Sequence, residues 1–396
     1  MAAPPIPSVG TARHAGRLRV HRVRAPLHRP FRTALRTVTH LDTLLVGIVD
    51  RDGVIGWGEA AEVAAVTGHG LRRVAEILLG PVATGLTAET LRDLTAAVHQ
   101  VRRVAASVPP AQNAALSALL DLDARRSRLP AHRLLGARGD RLSTTVTIAR
   151  DHPAAMAAEA AERRDQGCRV LKLKLGSDTA MDIARLQAVA ESAVGARLLV
   201  DVNQGWSRDT ATACIEEILR RDLAVDAIEQ PLPAADLDGH AWLRRRLWGT
   251  GIELILDESV FCLEDARRVI DAGAADRINV KLAKAGGPGP AREILRFAAD
   301  HGVGTMVGCM LESPLGVAPA AALALAEGVA RCDLDAPLLL ADSPVIGGPC
   351  IEGDRLTVDP EPGYGCVPWS PGGTAHLAWE TSRRPTDQGY CPPFWT

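Results

Sequence analysis

Between residues 144 and 334 the chain repeats one pattern: a short apolar, β-rich run followed by an Ala-, Arg- and Glu-rich stretch of helical character. The runs fall at Thr144–Ile148, Val170–Leu175, Arg197–Val202, Val225–Ile228, Ile252–Leu256, Ile278–Leu282, Thr305–Val307 and about Ala330–Leu334. Strands that alternate with helices imply parallel βαβ units, and eight such units imply a closed α/β barrel. A polar residue closes nearly every run: Lys174, Asp201, Glu229, Asp257, Lys281, Cys309 and Asp333, spaced 24 to 28 residues apart. In a barrel of this kind the C-terminal strand ends form the active-site face, so these residues are the first candidates for chemistry.

The flanking segments read differently. Residues 1–15 form a loose Pro/Ala/Gly leader, and residues 16–127 predict a small α+β domain that caps the barrel. Its signals are strands near Leu18–Val23 and Leu41–Val49, a hairpin at Asp52-Gly53, and helices over Leu71–Leu79, Glu89–Val104 and Pro110–Arg126. The barrel is expected over 128–340, a return to the capping domain over 341–370, and an irregular tail over 371–396. A net charge of −2 argues against nucleic acid or an acidic membrane surface as the partner. Eight cysteines without a Cys-x-x-Cys pair read as reduced thiols. With no signal peptide and no long apolar run, a cytoplasmic location is expected.

Only four of the 45 basic residues are lysine, and they sit in two motifs, Lys172 with Lys174 and Lys281 with Lys284. Arginine stays protonated, whereas a lysine amine can be lowered in pKa and take a proton. Lys174 ends the second barrel strand and Lys281 the sixth, which places them on opposite sides of the mouth. Between them Asp201, Glu229 and Asp257 end the third, fourth and fifth strands. Three converging carboxylates repel one another unless a cation joins them; an all-oxygen set suits Mg²⁺, with Mn²⁺ as a substitute. A metal-held carboxylate substrate flanked by two amines points to inversion at an α-carbon, with each lysine lowered in pKa by its neighbours. The plainer reading makes the three acids helix N-caps, and a barrel lysine can also serve as the nucleophile of a Schiff-base aldolase.

The ordered motifs Lys172-Leu-Lys174, Asp201-Val-Asn203, Glu229-Gln-Pro231, Asp257-Glu-Ser259 and Asn279 to Gly287 resemble the enolase superfamily in its muconate lactonizing enzyme subgroup. The resemblance covers about residues 17–368. It implies a modified (β/α)7β TIM-type barrel with an α+β cap, Asp201, Glu229 and Asp257 as Mg²⁺ ligands, Lys174 and Lys281 as the acid/base pair, and Lys172 as an electrostatic helper. Arg331 to Pro337 is similar to the Asp-x-Asp signature of dipeptide epimerases, implying that Asp333 and Asp335 grip the substrate α-ammonium. Pro30–Val38 is similar to the mobile capping loop of those acting on L-Ala-D/L-Glu, with Arg36 in the specificity position. Gly308 to Ser313 also resembles that group, with Cys309 and Met310 lining the pocket. The activity implied is two-base 1,1-proton transfer on a small-molecule dipeptide through a metal-stabilised enediolate, in a homo-oligomer. The alternative is an N-acylamino acid racemase or o-succinylbenzoate synthase, which needs no ammonium clamp.

Overall fold

In a computed structural model of the protein, residues 17–34 and 36–368 are described. The expected leader and tail lie outside them. Strands β1 (Leu18–Arg32), β2 (Thr37–Val49) and β3 (Ile55–Ala61) form an antiparallel meander. Alternation drives it: Leu18, Val20, Val23, Ala25 and Leu27 are buried while Arg19, Arg22 and Arg24 face water. The β2–β3 turn is closed by the Asp50 carboxylate, which accepts from Asp52 N at 2.8 Å and Val54 N at 2.9 Å, with Gly53 at φ 83°. Pro30–Val38, expected as a loop, is mostly strand. β1 runs through Arg32 after a register shift between Pro26 and Phe31, and β2 begins at Thr37.

The helix Pro109–Arg126 lies across β3, and every residue from Pro110 to Leu119 is buried. A helix buried on every face must be covered on both sides, and this one, with Gln112, Asn113 and Ser117 among its buried residues, fills the seam between cap and barrel. Gly58 permits the close approach, since a Cβ there would sit 2.1 Å from Ala114 O. Asp121 on the same helix accepts from Trp57 N at 2.8 Å and pairs with Arg125 at 2.7 Å.

After the short strand β4 (Arg141–Ser143), the eight parallel strands β5 (Val146–Ile148), β6 (Val170–Lys174), β7 (Arg197–Asp201), β8 (Val225–Glu229), β9 (Glu253–Leu256), β10 (Arg277–Lys281), β11 (Gly304–Gly308) and β12 (Arg331–Asp333) run in sequence order. The ring closes through one parallel bridge, Thr144 to Cys332, rather than a full ladder. β5 is accordingly shorter than its apolar run. Helices follow the first seven strands, and only a 3₁₀ turn, Ala336–Leu339, follows β12. The architecture is therefore a (β/α)7β barrel. With side chains alternating along each strand, Leu199, Ala227, Ile255 and Met306 fill the barrel interior. Two residues further along, at the C-terminal ends, stand Asp201, Glu229 and Asp257.

Strands β13 (Val345–Gly347), β14 (Cys350–Glu352), β15 (Arg355–Thr357) and β16 (Cys366–Pro368) complete the described chain. β13 pairs with β16, and β14 and β15 extend a sheet with β4. Near β16, Tyr364 donates its backbone N–H to Asp121 Oδ1 at 2.7 Å and its hydroxyl to Ser117 O at 2.9 Å, which fastens this segment to the seam helix. Among the described residues no helix is long and apolar enough to cross a membrane. Among the described residues six cysteines are free thiols, but Cys350 is in a disulfide, which corrects the reduced set expected for all eight. The absence of a Cys-x-x-Cys pair excludes only local pairing, and Cys350 has no cysteine close in sequence that could betray a bond.

Candidate active site

Parallel pairing lines up the strand ends: Lys174 lies opposite Asp201, and Asp201 opposite Glu229. Lys174 and Lys281 end strands four apart in the ring, as their spacing predicted. The Lys172 ammonium, fully buried, lies 2.9 Å from Asp201, 2.8 Å from Glu229 and 2.5 Å from Asp333. Lys174 reaches Asp201 at 2.5 Å and Lys281 reaches Asp257 at 2.8 Å. Lys284, whose direction the sequence left open, is buried and donates to the Asp257 carboxylate and carbonyl and to Asn279 O. The one-turn helix Leu282–Ala285 after β10 turns it back toward the neighbouring strand end.

Side chains that sequence reasoning named without a clear role, or passed over, brace this set. Gln230 accepts at its side-chain oxygen from Asp257 N (2.9 Å) and Ser259 N (3.2 Å), which buckles the end of β9 to that of β8. Asn279 donates to Glu229 Oε1 at 2.9 Å, and Asn203 to Glu258 Oε1 at 3.0 Å. Asn203, Gln204 and Gln230 hold φ values of 45°, 67° and 40°, a strained left-handed backbone gathered at two ligand-bearing strand ends. The Gln in Glu-Gln-Pro and the retention of Lys284 in an Arg-rich chain were the available signals.

Six carboxylates (Asp201, Glu229, Asp257, Glu258, Asp333, Asp335) meet four lysine ammonium groups here, all of them buried. The acids therefore outnumber the amines by two in a low-dielectric setting, which favours the protonated form of some of them. Burial, reinforced by the neighbouring acids and only partly opposed by lysines, raises Glu229 and Glu258 to about 7 and Asp335 to about 6. Burial would likewise raise Asp201, but Lys172, Lys174 and Lys281 outweigh it and bring it to about 2. For Lys281 burial lowers the pKa while Asp257 opposes and prevails, so the group is raised. That differs from the lowered lysine expected from sequence, because the acids around it outnumber the amines. Lys284, where burial prevails, is lowered.

Among the described residues no three His, Cys, Asp or Glu side chains stand gathered as a ready-made metal centre. The acid oxygens are met by ammonium groups instead. The donor set nevertheless fits a hard divalent cation: it is all oxygen, its carboxylates outnumber the lysines around them, and buried Glu229 Oε2 is met only by the Lys172 ammonium at 2.8 Å.

A cavity of about 90 Å³ opens above these ends, walled by Lys174, Lys281, Asp257, Asp333 and Asp335 and reached by Phe31, Thr33 and Arg36 from the cap. Cys309 and Met310 also line it. Cys309 is a poor nucleophile, its thiol pushed well up by burial and by Glu312, Asp333 and Asp335. Asp333 and Asp335 both face the cavity, but not by strand alternation: β12 ends at Asp333, and Asp335 leads the 3₁₀ turn with φ −91° and ψ 0°. Asp333 accepts from Thr145 Oγ1 at 3.0 Å as well as from Lys172, and Asp335 accepts from Thr147 N at 2.6 Å. Arg36 is half-buried, its guanidinium 3.4 Å from Glu62 O, and among the described residues it forms no ion pair.

Comparison with known proteins bears on this geometry. Residues 16–136 match the family model of the mandelate racemase / muconate lactonizing enzyme N-terminal domain, and residues 155–369 match the enolase C-terminal domain-like model. The chain is 34% identical to an L-Ala-D/L-Glu epimerase of Bacillus subtilis, over 89% of this chain and 96% of that protein. It is 33% identical to a hydrophobic dipeptide epimerase of Enterococcus faecalis, over 83% of this chain and 92% of that one. The solved substrate-liganded complex of the Bacillus subtilis L-Ala-D/L-Glu epimerase superposes with a TM-score of 0.85 at 33% identity, covering 91% of this chain and 99% of that chain. An Enterococcus faecalis dipeptide epimerase complexed with Mg and L-Leu-L-Tyr gives 0.84 at 30% identity, covering 89% and 99%.

Proposed function

The chain belongs to the mandelate racemase / muconate lactonizing enzyme family of the enolase superfamily, and from that premise we propose that this isomerase is a Mg²⁺-dependent dipeptide epimerase. It inverts the α-carbon of the C-terminal residue, with L-Ala-D/L-Glu as the favoured pair. The observation that carries the reading is the placement of Lys174 and Lys281 four strands apart, on either side of three carboxylates at adjacent strand ends.

Asp201, Glu229 and Asp257 would hold the cation, and its bound charge would acidify the substrate's α-proton. Lys174 Nζ takes that proton from one face and Lys281 Nζ delivers one to the other; in the reverse direction they exchange roles. Lys172, pinned by three carboxylates, supplies fixed positive charge beside the substrate carboxylate. Asp333 and Asp335 receive the α-ammonium. Arg36, a cation at the cavity that forms no ion pair among the described residues, takes the γ-carboxylate of glutamate. The six free thiols fit a cytoplasmic enzyme.

One observation favours a second reading. Asp333 Oδ2 lies 2.5 Å from Lys172, which competes with a substrate ammonium and would suit an N-acylamino acid instead. A panel of L-Ala-L-Glu, a hydrophobic dipeptide and an N-succinylamino acid, followed by chiral chromatography with Mg²⁺ and with EDTA, separates the two. Conversion of L-Ala-L-Glu that EDTA abolishes is expected. Conversion of the N-acyl compound alone would establish the second reading, and no conversion of any would remove both.

A further inference from the structure

His240, on the helix Leu237–Leu247 that follows β8, is fully buried and does not line the catalytic cavity. Its ring lies between the start of its own helix and the Gln230 side chain. Nδ1 is 2.8 Å from Asp236 O, and Nε2 is 3.4 Å from Gln230 Nε2. A carbonyl oxygen only accepts, so Nδ1 carries a proton; an amide nitrogen only donates, so Nε2 presents its lone pair. One species meets both conditions, the neutral imidazole protonated at Nδ1. Burial favours that species, lowering the His240 pKa to about 4.

The Gln230 amide links this ring to the catalytic rim. Its nitrogen also donates to Ser259 Oγ at 2.9 Å and to Leu232 O at 3.2 Å, while its oxygen accepts from Asp257 N at 2.9 Å and Ser259 N at 3.2 Å. Turned over, the amide would set its NH₂ against two backbone N–H donors and its oxygen against Leu232 O and the His240 lone pair. A single orientation is therefore fixed from both ends. The backbone beneath it is tied to β9 as well, since Gln230 N donates to Ile255 O at 2.9 Å.

We propose that His240 is a positioning residue for the Asp257 end of the site: its Nε2 lone pair orients the Gln230 amide, and the amide oxygen holds the backbone from which the Asp257 carboxylate reaches into the cavity. That role rests on Asp257 as a cation ligand, as proposed above. The imidazole itself touches neither substrate nor cation. What it steadies is a carboxylate that lies 2.8 Å from Lys281 and also accepts from Lys284, so a displaced β9 end would move the partner of a proton-transfer lysine together with the ligand.

Two substitutions and one direct measurement, all on the full chain, separate this role from plain packing. His240→Gln keeps an acceptor near the place of Nε2, whereas His240→Leu fills similar space and keeps none. In the metal-free protein, amide hydrogen exchange at Asp257 and Ser259 should be about ten-fold faster in His240→Leu than in the parent and within about three-fold of it in His240→Gln, with Val280 on β10 unchanged. Calorimetric titration with Mn²⁺ should show affinity about ten-fold weaker in His240→Leu and within about three-fold of the parent in His240→Gln. Nitrogen NMR of the parent at neutral pH should show His240 protonated at Nδ1 alone. An Nε2–H tautomer or an imidazolium, unchanged exchange or unchanged Mn²⁺ affinity in His240→Leu, equal acceleration at Val280, or no recovery in His240→Gln would each overturn the proposal. Selective exchange in His240→Leu without any Mn²⁺ binding by the parent would uphold the hold on the β9 end and overturn the ligand role of Asp257 instead, so the two failures are distinguishable.

Discussion

A buried ammonium group stays charged only where its surroundings hold it, and Lys284 is surrounded by the Asp257 carboxylate, two backbone carbonyls and the Phe261 ring 5.3 Å away. Its role is to hold Asp257 rather than to touch substrate. Lys284→Met would leave that carboxylate with Lys281 alone, and urea unfolding should show a loss of about 3 kcal/mol, the lower end for breaking a buried pair; a loss below about 1 kcal/mol would mean the contact is incidental. Lys174 and Lys281 are different in kind. Lys174→Arg and Lys281→Arg keep the charge but cannot supply a neutral amine, so each should lower kcat by about 10³-fold or more while the urea midpoint stays near that of the parent. Retained turnover in either variant would remove the acid/base pair from the account.

Elements position these residues, and their spacing decides what can be read in advance. The barrel strands were legible because strand and helix alternate along the chain and a polar residue closes nearly every run. The order Lys174, Asp201, Glu229, Asp257, Lys281 around the mouth follows from that alone. Less legible were features set by three-dimensional register: the closure through Thr144 and Cys332, the departure of Asp335 from β12, and the turn that sends Lys284 back to Asp257. Packing inside the cap was also hidden, since nothing local marks Gly58 as the point where a helix carbonyl comes within 2.1 Å of an added Cβ. Gly58→Ala should therefore cost about 2–3 kcal/mol in urea unfolding, whereas Gly80→Ala, with nothing within 4 Å, should stay within about 0.5 kcal/mol. On the helix Leu237–Leu247, burial lowers the His240 pKa from 6.5 to about 4. The folded protein thus binds this proton less readily than the unfolded chain. The contribution is fully present above pH 6.5 and is lost as pH falls toward 4, amounting to about 3 kcal/mol over that window. Urea titrations across it should be flatter for His240→Gln; an unchanged slope would assign the loss to other groups.

At the scale of the molecule, a cap of three strands and several helices sets Arg36 and Phe31 over the mouth of a barrel whose rim carries all four lysines of the chain. In the proposed function, cap residues would choose the side chain and strand ends would perform the proton transfer. Family membership alone does not select the dipeptide, because relatives at 34% and 33% identity carry the names of epimerases for different dipeptides. Arg36→Met should accordingly raise KM for L-Ala-L-Glu by about ten-fold or more and leave kcat within a few-fold, the loss of one charge-assisted pair. The central claim is inversion at the α-carbon by two opposed lysines, and proton NMR of L-Ala-L-Glu with the protein and Mg²⁺ in D₂O tests it most directly. The account predicts loss of the glutamate α-proton signal together with appearance of L-Ala-D-Glu carrying deuterium at that carbon. Retention of the α-proton across a panel of dipeptides, under conditions where the protein is folded, would contradict it.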